Sequence, residues 1–156
     1  MTPFDTATPM YHGTAARSFD EFMGWRPVFF TTSRAYAAVY MEKGDGQPRI
    51  VEARLDVRHP FVGRSPEDVA FWNDDFVPWM RSRHPALSVS LNPIAPRDGV
   101  PFVWADEFFV HLRRTARAGT SRYDGMIVDE TATAAFVKGG EITVVPLHVS
   151  QIAIHN

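Results

Sequence analysis

The most regular pattern in the chain lies at residues 49–57, where Val51, Ala53, Leu55 and Val57 alternate with Glu52, Arg54 and Asp56. A period of two puts the apolar set on one face and the charged set on the other, so this segment is predicted to be a half-buried β-strand. His59-Pro60-Phe61-Val62 follows, and its proline is expected to end the element. Shorter apolar runs predict further strands at 9–12, 28–31, 126–128, 142–147 and 151–154. Gly13-Thr14, Tyr123-Asp124-Gly125 and Gly139-Gly140 read as turns beside them, as does the 43–48 segment, which lacks the Lys-Ser/Thr ending of a phosphate loop.

Helical signals lie between these strands. Thr32 and Ser33 can each cap a helix over 33–41, which contains Ala35, Ala37 and Ala38. Ser65-Pro66-Glu67-Asp68 combines an N-cap, an N1 proline and first-turn acids. The helix it opens carries Val69, Phe71, Trp72, Phe76, Trp79 and Met80, with Pro78 kinking or splitting it. A third helix over 103–117 has Asp106 and Glu107 near its start and Arg113, Arg114 and Arg117 near its end, which complements the helix dipole and makes these arginines a solvated helix end. Residues 15–27 read as a loop with a helical turn, and 84–101 as a long surface loop suited to function. Strands toward both ends with helices between them predict an α+β fold of mainly antiparallel strands, in a single domain over 1–156.

A chain of 156 residues, 45% hydrophobic and 22% charged, has the make-up of a soluble globular protein. A formal net charge of −2 does not point to a nucleic-acid binder held by bulk charge, although it leaves a local basic patch open. Without cysteine, disulfides, thiolate nucleophiles and thiolate metal sites are excluded. The first residues lack the basic start and apolar core of a signal peptide and no run is long enough to span a bilayer, so a cytoplasmic location and no membrane partner are expected.

Chemistry is sparse in local motifs. The six histidines have no His-x-x-x-His pair or carboxylate spaced to complete a metal site, and no Gly-x-Ser-x-Gly elbow is present. What stands out is a set of residues at element boundaries. His12 precedes Gly13 at a strand end, and carboxylates stand at Asp129, Glu130 and Glu141. Tyr36 and Tyr40 share one face of the 33–41 helix, either as a stacking shelf beside small alanines or as cover for the core.

Four blocks in order resemble a known family: Tyr11-His12-Gly13-Thr14; Phe29-Phe30-Thr31 leading to Ser33, Ala37 and Tyr40; Tyr123-Asp124-Gly125-Met126-Ile127; and Ser150-Gln151-Ile152. They look like the ADP-ribosyltransferase superfamily, in its poly(ADP-ribose) polymerase-like branch, where a His-Tyr-Glu trio handles NAD. Small bacterial and phage members are the most similar. The resemblance implies a split antiparallel sheet or sandwich with flanking helices. It also implies an NAD-dependent mono-ADP-ribosyltransferase that takes NAD as co-substrate, needs no metal, and passes ADP-ribose to a macromolecular or small-molecule acceptor. In this reading His12 holds the ribose, the Gly13 backbone pairs with the carboxamide, Thr14 reaches a ribose hydroxyl, and Tyr40 stacks on nicotinamide. Tyr11, Phe29, Phe30, Tyr36 and Ala37 complete the slot.

The family's catalytic glutamate, counted back from Gln151 without a gap, falls on Thr143. Glu141 fits if the 146–149 segment carries two extra residues, and it is the acid expected here, with Glu130 and Gln151 as alternatives. A serine that often contacts the carboxamide is replaced by Ala37. Other readings are an NAD glycohydrolase, a non-catalytic module binding NAD, ADP-ribose or a protein, and an RNA-repair-type phosphotransferase drawing on the Arg113 to Arg122 cluster.

Overall fold

The computed structural model describes residues 6–15, 26–41, 46–87, 99–130 and 142–155. Glu141, the predicted turn at 139–140, most of the 15–27 and 84–101 loops and the first half of the 43–48 turn lie outside them. Eight strands occur among the described residues: β1 (Met10–Thr14), β2 (Phe30–Thr31), β3 (Arg49–Leu55), β4 (Pro60–Phe61), β5 (Val100–Pro101), β6 (Gly125–Asp129), β7 (Thr143–Pro146) and β8 (Ile152–Ile154). They form one sheet in the order β4-β6-β7-β2-β1-β3-β8, with β5 also paired to β6. The β4 and β5 pairings with β6 are parallel, and the other ladders are antiparallel. The α+β class therefore holds. The ladder runs unbroken through the two-residue strand β2, so the described strands make one continuous mixed sheet where a split sheet or sandwich was expected.

Strand patterns follow from what covers each face. In β3, Val51, Ala53 and Leu55 are buried while Glu52 and Arg54 are half-buried, as the alternation predicts. β6 reads as a continuous apolar run because both of its faces are covered. Met126 and Val128 join a core with Phe61, Trp72, Phe76 and Phe108, whereas Ile127 joins a second core with Met10, Phe30 and Leu55. Pro60, which cannot donate to a ladder, lies in β4 at the sheet edge.

Helix α1 (Arg34–Ala38) is capped by Ser33, whose hydroxyl accepts from the Tyr36 backbone N–H at 3.1 Å. Helix α2 (Pro66–Ala70) starts in the same way, with Ser65 accepting from the Asp68 N–H at 3.1 Å. The predicted helix changes type ahead of Pro78, which stands in the first turn of its last segment. A π-helical turn over Phe71–Phe76 leads without interruption into α3 (Val77–Arg83), the Val77 N–H reaching back five residues to the Trp72 carbonyl. That widening accommodates a proline that offers no N–H and would crowd the preceding turn. Helix α4 (Ala105–Arg117) is led in by a 3₁₀ turn at Phe102–Trp104 and followed by Gly119 at φ 75°.

Two of the family-like blocks are tertiary ties. Asp124 accepts from the backbone N–H groups of Arg58 and His59, at 2.7 and 2.8 Å, and so holds the turn between β3 and β4. Gln151 donates to the carbonyls of Asp56 and Asp124 and accepts from the His148 N–H. The hydroxyl of Tyr123 donates to Asp68 at 2.6 Å, joining α2 to the start of β6.

His111 on α4 is fully buried. The Arg114 guanidinium, which can only donate, stands 3.2 Å from Nδ1, so Nε2 carries the proton and donates to Asp75 at 2.8 Å. Burial pushes its pKa down to about 4, Asp75 opposes the shift, and Arg114 adds to it. The folded imidazole thus stays neutral at pH values where an unfolded one, near 6.5, gains a proton. Stability is expected to be full above pH 6.5 and to fall, by on the order of 3 kcal/mol, as pH drops from about 6.5 to about 4. Denaturant unfolding across this range measures it, and His111→Phe should flatten the slope.

Candidate functional site

A cavity of about 320 Å³ opens where β1, β2, β7 and α1 meet. Its walls come from segments far apart in sequence: 11–14, 26–31, 36–40, Phe102 and Asp106, and Glu130 with Thr143. Tyr11, His12, Gly13, Thr14, Phe29, Tyr36, Ala37 and Tyr40 all line it. Phe30 does not, because as the inward residue of β2 it is fully buried in the second core, with its ring 5.4 Å from that of His12.

Gly13 and Thr14 are not a turn. They continue β1, in register with Ile50 and Arg49 of β3. Glycine at position 13 is required by packing: a Cβ there would stand 1.7 Å from the Ala37 carbonyl oxygen. The missing side chain therefore seats α1 on β1, and this contact brings Tyr36 and Tyr40 over the strand that carries His12. Ala37 is buried in that contact and has no hydroxyl to offer a ligand.

The His12 ring is oriented by its Nδ1, 2.7 Å from the Phe29 carbonyl. A carbonyl only accepts, so Nδ1 carries the proton and Nε2 is the unprotonated ring nitrogen. Burial lowers the pKa, the Phe29 carbonyl raises it and Arg49 lowers it further, so the net effect is a neutral imidazole. Phe29 also packs on Phe102 with ring centres 5.8 Å apart, forming a half-exposed aromatic wall.

A carboxylate completes the cavity. Glu130, just beyond β6, is 4% exposed. Its Oε1 accepts from the Tyr36 hydroxyl at 2.5 Å and its Oε2 from the Thr143 hydroxyl at 2.7 Å. Both are short, charge-assisted bonds. Thr143 pairs with Val128 in the ladder, which makes Glu130 its diagonal cross-strand neighbour. Thr143, the position reached by the ungapped count from Gln151, thus holds a hydroxyl that grips an acid just beyond the adjacent strand. Tyr36 and Tyr40 pack edge to face with ring centres 5.5 Å apart and hydroxyls 3.1 Å apart. Burial and the Glu130 bond raise the Tyr36 phenol far above its usual range, so it stays protonated. Its proton is committed to Glu130, which makes Tyr40 the donor to Tyr36.

Gln151 lies away from this cavity, its amide used in the backbone ties already described, so it is not an acid substitute at the site. Nor do Arg113, Arg114 and Arg122 converge on one point: Arg113 lies over Phe109, Arg114 over Trp79 and Arg122, beyond α4, near Glu67. Thr143 and Asp106 are wall residues not singled out as ligand contacts from the sequence; the ungapped count to Thr143 was the available signal for the first. Among the described residues no group of three or more His, Asp or Glu side chains gathers as for a metal, and no helix is long and apolar enough to cross a membrane. No protein-family model, curated protein or solved structure matches this chain.

Proposed function

We propose that this protein cleaves the nicotinamide–ribose bond of NAD and transfers ADP-ribose to an acceptor. The observation that carries the reading is the convergence of His12, Tyr40 and a buried glutamate on one cavity from three distant parts of the chain. Nicotinamide would lie against Tyr40 between the walls built by Phe29 and Ala37, with His12 beside the ribose. A volume of about 320 Å³ suits the nicotinamide and its ribose, leaving the pyrophosphate toward the rim, where Arg26 is exposed. A second cavity, about 290 Å³, is lined by Glu67, Asp74 and Asp75 and would repel a dinucleotide phosphate.

Glu130 is the acid of this mechanism. As nicotinamide departs, positive charge develops on the ribose, and a carboxylate already held by two hydroxyls stabilises that charge without reorganising. The role parallels that of a glycosidase carboxylate. Incubation of the pure protein with NAD is expected to release nicotinamide, as read by chromatography. With water as acceptor the same chemistry makes it an NAD glycohydrolase. No nicotinamide release and no NAD binding under any acceptor mixture would remove the reading.

A further inference from the structure

The buried carboxylate is joined to the cavity face of α1 by a line of hydroxyls: Tyr40 to Tyr36 at 3.1 Å, and Tyr36 to Glu130 Oε1 at 2.5 Å. We propose that Tyr40 and Tyr36 form a two-hydroxyl relay carrying the acceptor's proton to Glu130, so that the natural acceptor attacks through an O–H or N–H group and not through a carboxylate. This deepens the NAD reading and rests on it.

The bookkeeping of the step closes. The bond between nicotinamide nitrogen and ribose C1′ breaks, its electron pair staying on nitrogen and neutralising the pyridinium. The acceptor heteroatom bonds to C1′ and gives its proton to the Tyr40 oxygen, while the Tyr40 proton passes to Tyr36 and the Tyr36 proton to Glu130. The products are a neutral carboxylic acid and two neutral phenols. Thr143 grips Oε2, which keeps Oε1 turned toward Tyr36. The raised pKa of Tyr36 disfavours a standing tyrosinate, which suits protons moving together along the line. A carboxylate acceptor has no proton to lose and would leave such a line without use.

The test compares the parent with Tyr40→Phe and Tyr36→Phe, using NAD with methanol, which must lose a proton, and with azide, which has none. Each variant keeps its ring, and a thermal melt checks that it folds. The ratio of azide-derived to methanol-derived ADP-ribose product should rise at least tenfold in both variants, from the general-base contribution lost. An unchanged ratio, with nicotinamide still released, would overturn the relay while sparing the NAD reading. Release of no nicotinamide by the parent with either nucleophile would overturn both.

Discussion

Glu130→Gln is expected to lower nicotinamide release from NAD by about 10²- to 10³-fold, the scale seen when one preorganised charge-stabilising group is removed. Glutamine keeps the shape but loses the charge, and its NH₂ cannot accept from a hydroxyl. One of the two donors, Tyr36 or Thr143, is thus left without its carboxylate acceptor. The stability loss should be limited to about 1–3 kcal/mol, the cost of a buried polar group losing its partner. NAD binding, measured by calorimetry, should weaken far less than turnover, since the interaction strengthens as charge develops on the ribose. Thr143→Val, which leaves the charge in place, should reduce turnover less than Glu130→Gln. Parent-like turnover in Glu130→Gln, with a large loss in Glu141→Gln, would return the catalytic role to Glu141.

Gly13→Ala should be the most damaging single-methyl change in the described chain. The new Cβ would meet the Ala37 carbonyl oxygen at 1.7 Å and its carbon at 2.7 Å, and both belong to backbone that no side-chain rotation can clear. Either α1 lifts from β1 or β1 shifts within the sheet, at a cost of about 3 kcal/mol or more. Urea unfolding measures the loss. Because α1 carries Tyr36 and Ala37 into the cavity, NAD turnover should fall with stability. Gly119→Ala is the contrast: nothing lies within 4 Å of its Cβ, so its cost, about 1 kcal/mol, comes from the φ of 75° alone. Equal losses in the two variants would mean that the approach of Ala37 to Gly13 is not what requires glycine there.

Much of the fold was legible because its determinants are local. The caps at Ser33 and Ser65, the proline at the start of α2 and the alternation in β3 each rest on interactions within a few residues, and the structure bears each of them out. The turn assigned to Gly13-Thr14 failed because a glycine signals close approach without saying of what. Here it is a helix carbonyl and not a change in chain direction. Pro78 was read as kinking or splitting its helix, but sequence periodicity does not reveal that the change takes the form of a π-helical turn. Phe30 was counted with the slot because adjacent residues of a strand face opposite ways, and only the neighbouring strands decide which face looks into the cavity.

The candidate site divides along the same line. By itself the sequence determined which groups were present: an imidazole before a glycine, two phenols one helical turn apart, and acids at strand ends. The blocks at 11–14 and 29–40 were legible because each is one continuous element. Which acid faces the cavity was a matter for tertiary structure, since Glu130 and Thr143 meet only through the pairing of β6 with β7, thirteen residues apart in sequence. The register of that ladder, set by burial on both faces of the sheet, turns the glutamate toward the hydroxyls of Tyr36 and Thr143, and no local pattern encodes it.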